Sequence, residues 1–337
     1  MKDFKPFIIP IFLPQAGCPH RCIFCNQYAI TNIRSNQISS FALVKNIDRF
    51  LSYNHRNNQN VQISFYGGNF LGLQESEIIE LLECAQSYVN CKKVASIRFS
   101  TRPDTVTQKR LLLLAKYAIK TVELGVQSMI DDVLMKSQRG HSSDSVCQST
   151  EILKNAGYQV GHQIMSGLPG DTSVTFAQTI EKIITLKPDF VRLYPTLVLK
   201  GSILSNWYRE GYYRPLSLNQ AVTSAKDSLL LFQKNNIPVI RMGIQPQDNL
   251  ESHILSGPYH PAFGHLVYSE LLLDKVTEQI QKSCANRIAI LVNPKRMSEM
   301  KGIHQTNVKQ LSRRFPNKKI QFISDPGISD VQILEIL

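Results

Sequence analysis

Three cysteines near the amino end have a spacing that could hold an iron–sulfur cluster. Cys18, Cys22 and Cys25 form a CxxxCxxC triplet directly after the apolar segment 7–13, with no fourth cysteine close by. Three thiolates can ligate three irons of a [4Fe–4S] cube, whereas electron-transfer clusters ordinarily use four cysteines. The fourth iron would stay open, and an open coordination position is where a metal centre does chemistry. The triplet therefore predicts a reactive cluster.

The same triplet also allows a zinc site. Short cysteine clusters in intracellular proteins commonly bind zinc, and His20 lies inside this one as a fourth candidate ligand. The cysteines alone favour the iron–sulfur cluster over zinc without excluding zinc.

The composition is that of a globular protein. The chain has 337 residues, 43% hydrophobic and 19% charged, which suits one large domain with an appendage, or two domains. No apolar run approaches the ~18–20 residues of a membrane span, so no membrane partner is expected. The first apolar stretch is short and broken by Pro10 and Pro14, unlike a signal peptide. Four further cysteines are scattered and are expected to be free, in a reduced, cytoplasmic protein: Cys84, Cys91, Cys147 and Cys284.

Positive charge is concentrated near the carboxyl end. The net charge is +12, and the segment 295–319 supplies +7 of it, with one acid, Glu299. Such a patch fits a polyanionic partner such as RNA, and it equally fits a solvated face of a basic protein. The basic residues of the segment are Lys295, Arg296, Lys301, Lys309, Arg313, Arg314, Lys318 and Lys319.

Strand-like and helix-like segments alternate along residues 1–245. This rhythm predicts a parallel sheet of βα units, and we expect a partial (β/α)6-type TIM barrel. Residues 246–337 are expected to form a small C-terminal α/β appendage that begins with the irregular stretch 245–268 and ends in a short helix. The predicted barrel strands are 7–13, 61–66, 94–100, 120–126, 159–166, 189–195 and 238–244.

Glycine and polar residues follow the predicted strands, at the edge where barrel enzymes build their sites. Gly67, Gly68 and Asn69 follow the second strand, and glycine there lets backbone approach a ligand closely. Taken alone, such a pair usually marks only a turn. The other loops carry Ser100 with TRPD, Gln127 in GVQS, Arg139 in RGH, and GLPGD after the strand that contains Gln163.

Taken in order, CPHRCIFCNQ, FYGGNF, STRPD, GVQSMIDDVL, RGH and GLPGD resemble the motifs of the radical S-adenosylmethionine (SAM) superfamily. The resemblance covers roughly residues 5–245 and is to the branch of the Elongator catalytic subunit and the oxygen-independent coproporphyrinogen oxidases. It implies that Cys18, Cys22 and Cys25 bind a [4Fe–4S] cluster. It also implies that SAM chelates the open iron and that an electron cleaves SAM to a 5′-deoxyadenosyl radical.

The resemblance also implies contacts to SAM. Backbone at Gly67 and Gly68 would meet the amino group, Gln127 would contact SAM, and Arg139 would meet the carboxylate, which suits a guanidinium fork. Three further residues are expected to contact SAM, at positions where relatives usually carry other residues. They are Asn69, Ser100 and Gln163.

Some polar residues on the same edge have simpler explanations. Asp104 and Asp171 are expected to cap the helices that follow them. Arg192 could serve substrate or SAM. Tyr259 and His260, within GPYHPAFG, are expected to form a Gly/Pro turn rather than a radical relay.

Three functions remain open from the sequence. The first is a radical SAM enzyme that modifies RNA or tRNA, served by an electron donor such as flavodoxin or ferredoxin. The second is a radical SAM enzyme that acts on a small molecule or tetrapyrrole. The third is a non-catalytic iron–sulfur or zinc protein that binds RNA. Elongator-like proteins pair this core with an acetyltransferase domain, and residues 246–337 are expected to be too short for it.

Overall fold

A parallel sheet with helices on one face dominates the computed structural model, which describes residues 6–33, 38–54, 60–247 and 249–335. The strands of these residues are β1 (Phe7–Leu13), β2 (Val61–Gly67), β3 (Ser96–Thr101), β4 (Ile119–Gln127), β5 (Gln159–Ser166), β6 (Phe190–Pro195), β7 (Val198–Leu199), β8 (Val239–Met242), β9 (Ile254–Ser256), β10 (Arg287–Val292), β11 (Lys319–Ser324) and β12 (Val331–Glu335).

The helices connect successive strands. They are α1 (Gln27–Thr31), α2 (Ser40–Ser52), α3 (Glu75–Asn90), α4 (Gln108–Leu114), α5 (Asp131–Lys136), α6 (Ser143–Asn155), α7 (Ser173–Leu186), α8 (Ile203–Arg209), α9 (Leu218–Lys234), α10 (Leu250–His253), α11 (Phe263–Lys282), α12 (Met297–Lys301) and α13 (Thr306–Arg314).

The large sheet runs in chain order, β1-β2-β3-β4-β5-β6-β8, and every neighbouring pair in it is parallel. The sheet curls into a half-barrel, which confirms the predicted partial TIM barrel. Right-handed βα units place the helices on the convex face. The carboxyl ends of all seven strands, and the loops that follow them, therefore meet at one rim.

The main core lies between the sheet and the helices. Alternate residues of each strand, such as Ile63 and Phe65 on β2, are buried there against the helices. The other residues of each strand face the concave side, and many of those are polar. This division follows the two-residue period of a strand, because one face meets helices and the other meets the barrel interior.

Several helices begin at hydroxyl side chains that accept backbone N–H groups. Thr107 caps α4 and Thr172 caps α7. The predicted capping roles of Asp104 and Asp171 were therefore wrong in detail. Asp104 pairs with Arg102, Nε to Oδ1 at 2.9 Å. Asp171 lies one residue before Thr172, the cap of α7. It accepts a hydrogen bond from the Gly167 N–H at 3.0 Å and closes the loop after β5.

The C-terminal part forms a second sheet, in the order β11-β10-β12, with α11, α12 and α13 packed against it. The predicted terminal helix was wrong, because β12 pairs antiparallel with β10 and buries Val331. Its run VQILE alternates only as far as Ile333, since Leu334 is also apolar, and the free edge of β10 decides in favour of a strand. Helix α11 begins at Phe263, inside the stretch predicted to be irregular, and packs on both α9 and α12.

Within the described ranges, no helix has the length and apolar character needed to cross a bilayer.

Candidate active site

The three clustered cysteines lie on the loop between β1 and α1. Short turns shape this loop: the Cys18 N–H donates to the Gln15 carbonyl at 3.1 Å, and the Cys25 N–H donates to the Cys22 carbonyl at 3.0 Å. Burial, together with the neighbouring thiols, raises the pKa of Cys25 to about 12, and burial raises that of Cys18. Burial therefore favours the protonated form of Cys18 and Cys25, and a bound metal cation would favour their thiolates instead.

The cysteine loop is locked against the loop that follows β2. The Asn69 N–H donates to the Ala16 carbonyl at 2.8 Å. A Cβ on Gly68 would run into that same carbonyl oxygen, so only glycine allows this approach. The Gln27 side chain closes the contact from the other side, because it bonds to the Gly67 carbonyl and to the Gln15 N–H. Gly67 and Gly68 thus present backbone beside the cysteine loop, and their contact to SAM stays a prediction.

The Asn69 side chain joins the loops around the cysteines. Its side chain is fully buried, with its amide donating to the Gly17 carbonyl at 3.0 Å. Its oxygen accepts from the Thr101 hydroxyl at 2.7 Å and from the Arg102 N–H at 3.0 Å. Asn69 therefore ties together the loops after β1, β2 and β3, and its polar atoms are all engaged by protein groups.

Arg139 contacts Cys22, and the side chains of Arg139 and Gln127 both border Gly125. The guanidinium of Arg139 donates from Nη1 to Cys22 Sγ at 3.0 Å and from Nη2 to the Gly125 carbonyl at 2.5 Å, with the residue 6% exposed. A Cβ on Gly125 would lie 3.2 Å from Gln127 Nε2 and 3.3 Å from Arg139 Nη2. Gly125 therefore leaves the space that both polar side chains occupy.

Ser100 and Gln163 lie deeper in the half-barrel, around a carboxylate. Gln163 Nε2 donates to Glu123 Oε2 at 3.1 Å and to Ser100 Oγ at 3.4 Å. Glu123 is fully buried, and Arg98 Nε donates to its Oε1 at 2.6 Å. The sequence analysis assigned Ser100 and Gln163 but gave Glu123 no role. An acid at an inward position of a strand, among arginines of neighbouring strands, is the signal that could have identified it.

A short antiparallel ribbon covers the cysteine loop. β7 pairs with β9, and the Leu204 N–H donates to the Ile23 carbonyl at 2.8 Å. Asn26 Nδ2 donates to the Lys200 carbonyl at 2.6 Å, and the Tyr28 and His253 rings meet edge to face at 5.7 Å. Residues on either side of the third cysteine are therefore fixed by chain from beyond β6.

Two other candidates have structural roles. His20 contacts the Gln138 carbonyl through Nε2 at 2.9 Å, at the surface. His260 Nδ1 contacts the Ala262 N–H at 3.0 Å, and the Tyr259 N–H donates to the Gly257 carbonyl, as in a turn. In the parts of the chain that the structure describes, no three His, Cys, Asp or Glu side chains converge on one metal-ion position. A [4Fe–4S] cube needs no such convergence, since each thiolate binds a different iron.

Comparison with known proteins identifies the family. Residues 12–183 match the family model of the radical SAM superfamily, and residues 188–272 match that of the Radical_SAM C-terminal domain. The chain belongs to the radical SAM superfamily. Membership makes it an enzyme and implies a [4Fe–4S] cluster and SAM.

The relatives of this radical SAM protein belong to the Elongator-like branch. The tRNA uridine(34) acetyltransferase of Methanocaldococcus infernus is 25% identical over 301 residues, 77% of this chain and 55% of the relative. Elongator complex protein 3 of Saccharomyces cerevisiae is 35% identical over 158 residues, 45% of this chain and 27% of the relative. The chain spans about half the length of the first acetyltransferase relatives.

Among solved structures, the archaeal Elp3 of Methanocaldococcus infernus with an N-terminal deletion has the same fold. The TM-score is 0.62 at 21% identity, over 83% of this chain and 64% of that one.

The site of this radical SAM protein fits the cluster by its donor set. Its three thiols follow one another on a single loop, and Cys22 is buried while Cys18 and Cys25 are partly exposed. The positive charges of Arg102 and Arg139 act on Cys18 and lower its pKa, against the effect of burial. Cations next to thiolates offset the repulsion between them.

Proposed function

We propose that this radical SAM enzyme binds a [4Fe–4S] cluster through Cys18, Cys22 and Cys25 and modifies RNA, with tRNA as the first candidate. The observation that carries the proposal is the meeting of the cysteine loop, the Gly67–Gly68 edge and Arg139 at one rim of the half-barrel. When bound by these cysteines, a [4Fe–4S] cluster would supply the one electron that reductive cleavage of SAM into methionine and a 5′-deoxyadenosyl radical requires.

The residues around the cysteines would then hold SAM in place. Gly67 and Gly68 offer backbone without side chains, and Gln127 and Arg139 offer polar groups for the methionine part. Ser100 and Gln163 lie further into the barrel, where they suit ribose hydroxyls. Asn69 would act as a positioning residue, because its side chain already joins three loops. The ribbon of β7 and β9 would keep water from the radical.

RNA is the favoured substrate for two reasons. First, relatives in the same branch are named as tRNA uridine(34) acetyltransferases. Second, the C-terminal appendage, which we place at residues 246–337 beyond a core of 1–245, keeps exposed cations. Lys309 and Arg313 are exposed one turn apart on α13. By contrast, Arg296 is paired with Glu299 at 2.8 Å and with Asp330 at 2.5 Å.

A low-potential electron carrier such as flavodoxin or ferredoxin would reduce the cluster. All seven cysteines are free, which suits the reduced cytoplasm that such a cluster requires.

The test is anaerobic reconstitution with iron and sulfide, then SAM and dithionite, with chromatography for 5′-deoxyadenosine. We expect cluster absorbance and 5′-deoxyadenosine from the wild type and from Cys91→Ala, whose thiol is exposed and remote from the site. We expect neither from Cys22→Ala. A zinc-loaded protein, or a cluster that leaves SAM intact, would contradict the enzymatic proposal.

The substrate is tested separately. RNA from a strain that lacks this protein is incubated with the active enzyme, and its nucleosides are analysed by mass spectrometry. A new modified nucleoside supports RNA as substrate. Active SAM cleavage with unchanged RNA would favour a small molecule or a tetrapyrrole instead.

A further inference from the structure

The concave wall of the half-barrel carries more positive than negative charge on β3 to β8. Three arginines lie on inward positions: Arg98 on β3, Arg192 on β6 and Arg241 on β8. Arg192 and Arg241 are partners in the register of two neighbouring parallel strands, so their side chains leave the sheet side by side on the same face. Glu123 on β4 is the carboxylate that Arg98 and Arg192 contact.

That carboxylate is already saturated. Arg98 Nε lies 2.6 Å from Glu123 Oε1. Arg192 Nε lies 2.7 Å from Glu123 Oε2, and this ion pair does not have the angle that a hydrogen bond requires. Gln163 and the Tyr66 hydroxyl also donate to it, at 3.1 and 3.2 Å. Glu123 therefore balances one of the three guanidinium charges. Among the residues that the structure describes, Arg241 bonds to a neutral group, Gln245 Oε1, at 2.9 Å.

The excess charge lies where a ligand could reach it. The Arg192 side chain is 16% exposed, and Arg241 is half-buried. Arg192 Nη1 donates to the Tyr194 hydroxyl oxygen at 3.3 Å. Because the hydroxyl accepts this bond, it can still donate its own proton to a ligand. Two guanidinium groups and a phenol beside one another match the oxygen atoms of a phosphate or a carboxylate. Within the described residues, these three guanidinium groups have one carboxylate among them, and that excess of positive charge favours such an anion.

We propose that Arg192, Arg241 and Tyr194 bind an oxyanion of the substrate. The proposal rests on the RNA-modifying function above, and it names the phosphate next to the reacting nucleoside as that oxyanion. A nucleoside that enters the half-barrel must leave its base stack, and a fixed phosphate contact would hold it there against restacking. The SAM carboxylate is assigned elsewhere, to Arg139 beside Cys22.

The test compares uridine 5′-monophosphate with uridine. Binding of each probe to the reconstituted, SAM-loaded enzyme is measured by calorimetry for the wild type, Arg241→Gln and Arg192→Gln. Arg49→Gln, on the exposed outer face of α2, is the control. We expect the wild type and the control to bind the nucleotide at least about tenfold more tightly than the nucleoside. Arg241→Gln should lose most of that difference.

Arg241 is the decisive position, because Arg192→Gln removes a partner of the buried Glu123 and could unfold the protein. Equal binding of nucleotide and nucleoside by the wild type would overturn the phosphate proposal. The proposal would also be overturned if Arg241→Gln preferred the nucleotide over the nucleoside as strongly as the wild type does. A loss of SAM affinity in Arg241→Gln would also overturn it, since the anion would then be the SAM carboxylate. If succinate binds through Arg241 and the nucleotide does not, the oxyanion site is supported while RNA as substrate is rejected.

Discussion

The guanidinium of Arg139 lies on the thiol of Cys22, with Nη1 3.0 Å from Sγ. The same side chain holds the end of β4 through the Gly125 carbonyl. One residue therefore joins the cysteine loop, which follows β1, to a strand three positions away in the sheet. The three cysteines are therefore positioned by the sheet as well as by their own loop.

Replacing Arg139 should affect the cluster and SAM separately. Arg139→Gln removes a positive charge beside a cluster ligand, so the more negative, reduced cluster loses stabilisation and its reduction potential falls. The affinity for SAM should fall as well. Potentiometric titration followed by electron paramagnetic resonance measures the first, and equilibrium dialysis measures the second. Arg49→Gln controls for the loss of a charge. An unchanged potential would show that the contact to Cys22 does not persist in the loaded enzyme.

Gly68→Ala should loosen the cysteine loop. Its Cβ would collide with the Ala16 carbonyl oxygen, which is backbone and cannot move aside alone. We expect a loss of about 1–3 kcal/mol in the free energy of unfolding and less iron bound on reconstitution. In Gly264→Ala the nearest atom would be 3.7 Å from the new Cβ, inside α11. That control should gain up to about 1 kcal/mol. Denaturant unfolding of both variants checks the pair, and equal effects would contradict the packing argument.

Glu123→Gln should be among the most destabilising polar substitutions. Glu123 is fully buried between Arg98 and Arg192, and its removal leaves two guanidinium groups without a carboxylate. Breaking a buried pair in this way typically costs about 3–5 kcal/mol. Glu83→Gln breaks only the exposed pair with Lys116, at 3.9 Å, and should change stability by less than about 1 kcal/mol. Thermal unfolding that gives similar shifts for both would rule out a strong buried triad.

His162 should make the protein less stable in mild acid. Burial lowers its pKa to about 3, and Thr150 Oγ1 contacts its Nε2 at 2.9 Å. The unfolded chain binds the proton below about pH 6.5 while the folded protein does not, so stability is complete above that pH and falls below it. Between pH 7 and pH 5 the loss should be about 2 kcal/mol. Urea titrations at pH 7 and pH 5 measure this loss of stability. We expect a smaller loss in His162→Gln and an unchanged loss in the control His304→Asn, whose position is exposed.

The exposed cations of α13 should contribute to RNA binding. Replacing Lys309 and Arg313 by Gln removes two charges one turn apart, and the slope of log K against log salt should fall by about 2 if both meet phosphates. The matched control replaces Lys45 and Arg49, which have the same spacing on α2. Filter binding of tRNA at several salt concentrations measures the slope. Equal slopes for the two double variants would place the RNA elsewhere.

The parallel half-barrel was predictable because its strands are separated by helices whose apolar period is clear in the chain. The cysteines, Gly67, Gly68 and Arg139 were predictable because short motifs carry them. The Arg98–Glu123–Arg192 triad was not, since each partner comes from a different strand and only the curl of the sheet brings them together. The hydrogen bonds of the Asn69 side chain could not be predicted for a related reason, as its partners lie on two other loops. The five-residue run of β12 is compatible with a strand or a helix from sequence alone. Its antiparallel pairing with β10 in the fold makes it a strand.

The sheet begins at β1, and within the described residues β1 has β2 as its only neighbouring strand. The loop that carries the cysteines leaves this edge strand and reaches across the rim to the end of β4, where Arg139 contacts Cys22. The Arg192–Arg241 wall lies at the opposite margin, on β6 and β8. An electron carrier and a substrate would then approach from two different directions. In kinetic terms, we expect reduction and substrate binding to occur in either order, with no competition between the two partners.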